Sequence, residues 1–459
     1  MSMPSSVFRA APSRRLPLAL LLSLAFASAS QAQSLVEIYD MAKGYDASYQ
    51  AARAQYEANL AKADQGKAAL LPTVGLSSEV TRADREITYS PASGGTKIPD
   101  YYYTSQTAGI KAVQPLYRPA NLATYRQSQK GLELAEAALS QADQDLIVRV
   151  SQAYFDVLAA QDSLTFVRAQ KAAVAEQLAS AKRNFEVGTA TITDTREAQA
   201  RYDLVIAQEI AADNDLRVKT VALELLVGKA GLKPRGIKTD GELSAVDGQG
   251  VDSWIAQSEQ SHPAIQKARA DLEVAKLETE KAVAGHKPTL DLTLEYGNQK
   301  NINATTLTAN PGVDQKITSG SAKLSLVLPL YAGGATENRV RETTALEEKA
   351  RLDLEGAQRQ VAQATRTAYL GLQSGLGQVK AYEAAEASSQ VALDANKLGY
   401  QVGVRINIDV LNSQSQLYQT KRDLAKARYD VLVGQLKLRQ AAGVLKADDL
   451  QPLNKLLAP

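Results

Sequence analysis

Residues 400–409 read YQVGVRINID, and they interrupt a long helical pattern. Residues 185–194, FEVGTATITD, interrupt another in nearly the same words. Each stretch has Val-Gly, a short β-branched patch and an Asp, after which the helical pattern resumes. Other landmarks keep this spacing of about 215 residues, as a duplicated unit would. Pro72 in LLPTVGL answers Pro288 in HKPTLDL, and Tyr117 in VQPLY answers Tyr331 in VLPLY. Gly188 answers Gly403, Asp194 answers Asp409, and Gly228 answers Gly443. The chain therefore reads as two tandem halves, 33–230 and 252–446. A Gly- and Asp-containing link over 231–251 joins them, and a C-terminal segment, 447–459, follows.

Each half has the same expected order: a helical stretch (about 35–70, then 252–284), two alternating segments around a turn-rich loop, and a pair of long helices. In the second half Leu290, Leu292, Leu294 and Tyr296 fall on one face, and Thr289, Asp291, Thr293 and Glu295 on the other. Leu324, Leu326, Leu328 and Leu330 alternate with Lys323, Ser325 and Val327. In the first half Val74, Leu76 and Val80 alternate with polar residues. A period of two marks strands with one apolar and one polar face. Strand pairs are expected at about 72–117 and 288–331. At about ten residues per strand they match tilted strands crossing an outer membrane; a half-buried sheet of a soluble domain is the alternative. Polar loops are expected at 87–104 and 299–318. Tyr101, Tyr102, Tyr103, Tyr117, Tyr296 and Tyr331 cluster near strand ends, as interfacial aromatics do, although ordinary strands also favour tyrosine.

From about 119 to 185 and from 333 to 400 no proline interrupts the helical pattern, so each run would reach roughly 100 Å. Val410, Leu417, Leu424, Val431 and Leu438 recur every seven residues with Leu411, Tyr418, Ala425 and Leu432 beside them, the mark of a coiled-coil seam.

Composition narrows the class. Residues 1–32 read as a secretory signal: Arg9, Arg14 and Arg15 precede an apolar run from Leu16 to about Ala27, and Ser30-Gln31-Ala32 offers a small-x-small cleavage site. A retained anchor is the alternative. The chain has no cysteine, which excludes disulfides, thiol chemistry and a lipid-modified N-terminal cysteine. A net charge of +2 argues against a nucleic-acid partner. The two histidines, His262 and His286, occupy unmatched positions of the two halves, and no catalytic or metal motif accompanies them. No enzyme activity and no cofactor are expected.

Four strands cannot close a barrel, and an open edge cannot face lipid. Strands that span a membrane here must share a barrel with other copies: three chains would supply twelve, while two would supply eight and leave little interior room.

The segments LLPTVGL at 70, AYFDVLAAQDSL at 153, FEVGTATITD at 185, AGHKPTLDL at 284, SLVLPLYAGG at 325, GYQVGVRINIDVLN at 399 and LYQTKRDLAKARYDVLVGQLKL at 417 resemble the TolC family of trimeric outer-membrane efflux and secretion channels. The likeness covers essentially the whole chain after residue 32. Its spacing is closer to the TolC type than to the lipid-anchored drug-efflux members. The resemblance implies an α+β membrane protein: four transmembrane β-strands per chain in a shared 12-stranded trimeric barrel, continued by a long antiparallel α-helical coiled-coil tunnel. It implies a homotrimer in the cell outer membrane with a periplasmic extension and an equatorial belt formed by the link and C-terminal segment. Its partners would be outer-membrane lipid, a periplasmic adaptor (membrane fusion) protein and an inner-membrane ABC or RND-type transporter.

The Val-Gly breaks would then be periplasmic tips, where Gly188 and Gly403 permit the turn and Thr193 or Asp194 caps the next helix. By resemblance Asp409 forms a ring at the periplasmic gate. The position one helical turn on, acidic in many members, is Asn412, so one acidic ring is expected rather than two. Tyr400 and Arg405 match gate-closing positions, with Asp194 as partner of Tyr400 and Thr193 as partner of Arg405. Val187, Gly188 and Thr189, with Val402, Gly403 and Val404, match the tips that adaptors contact. The competing reading is a periplasmic structural or adaptor coiled-coil protein without a pore.

Overall fold

The structure, a computed structural model, describes residues 32–88, 97–238, 250–304 and 313–457. The signal segment up to residue 31, the link residues 239–249 and the loop residues 89–96 and 305–312 lie outside the described residues. So does the side chain of Tyr101.

Helices α1 (Leu35–Tyr45) and α2 (Ala47–Ala68) lead into strands β1 (Thr73–Thr88) and β2 (Lys97–Tyr117), followed by α3 (Pro119–Glu186) and α4 (Ile192–Val227). The same order returns with α5 (Val251–Ser261), α6 (Pro263–Val283), β3 (Thr289–Ala304), β4 (Val313–Val327), α7 (Ala335–Gln401) and α8 (Asn407–Ala441). A short α9 (Leu450–Lys455) comes last. The helical stretch expected over 35–70 is in fact two helices. Asp46 splits it: its carboxylate accepts the Tyr49 N–H at 2.8 Å and starts α2 as an N-cap. In the second half the break falls at His262-Pro263, where proline takes the first helical position and His262 Nδ1 accepts the Ala264 N–H at 3.1 Å.

The four strands form one antiparallel sheet in the order β1-β2-β3-β4, so β2 and β3 join the two halves. Register aligns side chains of one character across all four strands. One rung reads Val74, Ala112, Leu294, Ala322; the next on that face reads Leu76, Ile110, Tyr296, Gly320. The opposite face reads Gly75, Lys111, Glu295, Ser321, with Lys111 and Glu295 in an ion pair at 2.9 Å. The apolar face is uncovered in the single chain: Leu76 is 80% and Leu326 69% exposed.

The strands are 16, 21, 16 and 15 residues long, well beyond the ten expected. The reason is visible above Tyr296: there both faces are largely polar, so the apolar alternation ends while the backbone ladder continues. The loops expected at 87–104 and 299–318 are shorter for the same reason.

Helices α3 and α7, 68 and 67 residues long, carry the chain roughly 100 Å away from the sheet. The heptad row Val410, Leu417, Leu424, Val431 and Leu438 is buried throughout. It packs on Leu372, Val379 and Leu393 of α7. The adjacent row faces the first hairpin: Leu411 joins Val174 and Leu178 of α3, and Leu432 joins Phe155. Helix α8 thus holds its own partner with one stripe and the other half of the chain with the next.

The largest core lies midway along α3. Tyr154 and Phe155, edge to face at 5.5 Å, meet Leu35 and Ile38 of α1, Tyr429, Leu432 and Leu436 of α8, and Leu450 and Leu453 of α9. Three distant pieces of chain converge there. The Gln33 N–H donates to the Lys233 carbonyl at 2.9 Å, and the Lys238 N–H donates to the Leu456 carbonyl at 2.9 Å. The buried Tyr154 hydroxyl donates to the Arg235 carbonyl at 2.9 Å, with that of Gln33 at 3.2 Å. Nearby, Arg149 grips the buried Asp46 with two hydrogen bonds of 2.9 and 3.0 Å. Burial by itself would raise the Asp46 carboxyl. The Arg149 fork and the Tyr49 and Ser48 N–H groups outweigh it and hold the group below the usual carboxylate range.

This pair yields a test. Its stabilisation is complete above about pH 4, the ordinary aspartate value, and fades as pH falls through the depressed folded value. Arg149→Met keeps the apolar stem but strands the carboxylate. Because Arg149 is partly exposed, the loss should be about 1–2 kcal/mol at pH 7. Thermal melts followed by circular dichroism should show that gap closing toward pH 3; a gap independent of pH would refute the pairing as its source.

Candidate functional site

At the end of the hairpins farthest from the sheet, both helix pairs turn by one device. The Thr189 N–H donates to the Asn184 carbonyl at 2.8 Å and the Gly188 N–H to the Phe185 carbonyl at 3.0 Å. The second tip repeats this with Val404 to Gly399 at 2.9 Å and Gly403 to Tyr400 at 3.2 Å. This is a Schellman ending, which needs a left-handed residue after the helix. Gly188 and Gly403 supply it at φ 78° and 82°. Both face open space, so backbone conformation alone demands glycine. Val187, Val402 and Val404 stand exposed on the outermost surface, an apolar tip.

The helices that restart are held differently. Helix α4 has a capping box: the Thr191 hydroxyl accepts the Asp194 N–H at 3.2 Å, and the Asp194 carboxylate accepts the Thr191 N–H at 2.9 Å. The cap is therefore Thr191, not Thr193 or Asp194 as expected; Asp194 is its partner three residues on. Thr193 is exposed, and its side chain makes no hydrogen bond among the described residues. Helix α8 has Ile406 at the equivalent place and no side-chain cap. Its first-turn acid, Asp409, lies where a helix N-terminus favours negative charge. It is one-third exposed and pairs with Arg405 at 3.7 Å.

What holds α8's start is the other hairpin. Asn407, fully buried, accepts from Gln177 of α3 and donates to the Asp194 carbonyl at 3.2 Å. One turn further, Arg201 of α4 donates to the Asn412 side-chain carbonyl at 2.8 Å. The Tyr400 hydroxyl accepts from Asn184 at 3.4 Å and is not bonded to Asp194 within the chain. Arg405 packs its stem over Gly399, where a Cβ would meet its Cγ at 2.7 Å. Between the two tips lies an open cleft of about 630 Å³, lined by Asn184, Asp194, Lys397, Tyr400, Arg405 and Asn407.

The structure thus gathers most of the residues singled out by sequence into one place. It adds Gln177, Asn184, Thr191, Arg201 and Asn407. Thr191 was legible as T-x-x-D ahead of a helix. The others act across more than two hundred residues of chain, and no local pattern marks them.

The profile of the outer membrane efflux protein family matches this chain twice, over residues 38–229 and 254–444. The chain belongs to the outer membrane efflux protein family. The two matches coincide with the two runs of elements. Outer membrane protein TolC of Vibrio cholerae is 34% identical over 93% of this chain and 94% of its own length. The alkaline protease secretion protein AprF of Pseudomonas aeruginosa is 32% identical over 92% and 86%. Among solved structures, the outer membrane protein VceC of Vibrio cholerae superposes with a TM-score of 0.75 at 21% identity, over 89% of this chain and 96% of its own, a likeness of fold. The chain is an outer-membrane efflux channel protein, and the poreless coiled-coil alternative falls with that membership.

The inter-hairpin clip can be tested separately from the caps. Asn407→Ala would leave Gln177 and the Asp194 carbonyl unpaired, whereas Thr191→Ala would fray only α4, each by about 1–2 kcal/mol. Hydrogen exchange should therefore show faster opening of the second tip and the start of α8 in the first variant and of the 191–195 turn alone in the second.

Proposed function

We propose that three copies of this chain close a 12-stranded barrel in the outer membrane and continue it as a helical duct reaching across the periplasm. One observation carries this reading: the sheet has a bare apolar face, a polar face and two unpaired edges, β1 and β4. In hydrocarbon every backbone group must be paired, so such a sheet is stable only as part of a closed barrel. Three copies of four strands supply a barrel with a polar interior wide enough for passage. The two halves, 33–230 and 252–446, then act as tandem repeats around one axis. The link and C-terminal segment, converging on the middle of α3, form a belt around the duct.

In this reading the helix tips are the periplasmic gate. Three Asp409 carboxylates form a ring that attracts cations. Asn412 contributes no charge, and Arg201 beside it adds a positive group. One acidic ring, partly offset, gives modest cation preference. Tyr400 and Arg405 close the gate toward Asp194 and Thr193 across the tips and between copies, supplementing the Asn184 and Asp409 contacts inside each chain. The exposed Val187-Gly188-Thr189 and Val402-Gly403-Val404 turns receive a periplasmic adaptor, and an inner-membrane transporter of ABC or RND type delivers the cargo. AprF is named for alkaline protease secretion and PrtF of Dickeya chrysanthemi for protease secretion, which supports type I secretion alongside small-molecule efflux.

Single-channel recording in planar bilayers decides this. The wild-type trimer should give a small, cation-preferring conductance. Asp409→Ala should reduce the preference, and Asn412→Asp should strengthen it and sharpen block by multivalent cations. An absence of channels would sink the barrel; channels indifferent to both substitutions would sink the gate ring alone.

A further inference from the structure

The sheet's membrane-facing side carries a feature that channel function does not use. On β3 and β4 the apolar face climbs from Leu290–Leu326 through Leu292–Leu324 and Leu294–Ala322 to Tyr296–Gly320. One polar rung follows, Asn298–Thr318, and then Lys300 stands directly opposite Lys316 on the same face. Both lysines are exposed, and neither side chain has an ion pair or hydrogen bond among the described residues. Like charges directly opposite on antiparallel strands repel. Gln106 continues the rung on β2, and Arg82 lies one rung farther on β1, 5.8 Å from the Tyr102 ring. The nearest acid, Asp314, lies two residues from Lys316 on β4 and accepts the Asn303 N–H at 3.1 Å, and Asp84 lies on β1 at the far edge. The loop segments beyond, 89–96 and 305–312, contain no Asp or Glu.

Position gives the pair its meaning. The helices leave the sheet at its other end, so the lysines lie toward the cell exterior. From Leu290 to Lys300 the strand climbs about 34 Å, or about 26 Å along the membrane normal at a tilt of about 40°. That is the height of a barrel's apolar band, about 25 Å, which puts both amines at the outer headgroup level. Resting on the barrel reading above, we propose that Lys300 and Lys316 bind a phosphate of lipid A in the outer leaflet. A phosphate between the amines turns their repulsion into charge-assisted hydrogen bonds. Gln106, Asn298 and Thr318 add neutral donors around it, and the Leu and Tyr rungs below receive the acyl chains. Three copies give three such sites around the barrel.

The test uses the full-length trimer, extracted in mild detergent and measured for retained lipopolysaccharide. Each lysine near a headgroup contributes about fivefold in affinity. Lys300→Gln/Lys316→Gln should therefore lower the affinity for bisphosphorylated lipid A more than tenfold, while trimer yield and conductance stay unchanged. Lys323→Gln removes the same charge from the opposite face of β4 and should have no effect. Lipid A stripped of its phosphates should bind wild type and double variant alike. Equal retention by the double variant, or equal competition from phosphatidylglycerol vesicles, would overturn the site while leaving the channel intact. A wild-type chain that forms no channel at all would overturn both readings.

Discussion

The whole molecule answers to one constraint: four strands with a bare apolar face and two unpaired edges cannot be satisfied alone. In water the exposed Leu76, Leu294, Leu324 and Leu326 are unfavourable, and in lipid the unpaired N–H and C=O groups of β1 and β4 are worse. Closure with further copies removes both problems together. In the proposed barrel everything below the sheet inherits its symmetry, because α2, α3, α6 and α7 lie next to strand ends in the chain. There the polar face, with its Lys111–Glu295 pair, would be the lining.

A duct roughly 100 Å long made of hairpins has a mechanical difficulty. Each hairpin touches its neighbours only along a stripe, so a continuous apolar seam must be supplemented by something that fixes the hairpins laterally. The core around Tyr154 and Phe155 does this. It draws in the chain before α1, the residues after α4 and the α9 segment, and it binds α3 to α8 through Leu432 and Leu436. The Asp46–Arg149 grip adds the corner between α1 and α2. Lateral stiffness is thus concentrated midway, which leaves the tips free to depend on weaker local contacts.

How much of this the sequence carried follows from the range of each interaction. Period-two alternation located the strands because Leu290 to Tyr296 and Leu324 to Leu326 keep one face apolar, although Leu328 and Leu330 carry the pattern past the end of β4 at Val327. It stopped where the face turned polar, so the continuation of the ladder to Thr88 and Ala304 was invisible. The heptad row of α8 was legible residue by residue, since burial and spacing are both local. The turns at Gly188 and Gly403 were legible because a left-handed residue after a helix has a strong signature. The split at Asp46 was not, since an aspartate within an otherwise helical run resembles a surface charge until its partner Arg149, 103 residues away, is known. The tip clip was hidden for the same reason: Gln177 and Asn407 are 230 residues apart, and neither stands out by type.

The two tips share a turn and differ in how the next helix is secured, and that difference orders the energetics of the proposed gate. Thr191 and Asp194 stabilise α4 from within, so the first tip keeps its shape whatever happens to its neighbour. Ile406 cannot cap, so α8 relies on Asn407 reaching into the first hairpin and on the exposed Arg405–Asp409 pair, which is worth at most about 1 kcal/mol. Separating the hairpins therefore costs the second tip its anchorage while leaving the first intact. In the proposed gate, a second tip that loosens against a self-capped first one would confine the movement to α7, α8 and the turn between them, which carry Tyr400, Arg405 and Asp409. The residues proposed to close the pore and the residue proposed to set its selectivity would then move as one unit, driven by the loss of a few weak contacts rather than by unfolding of either turn.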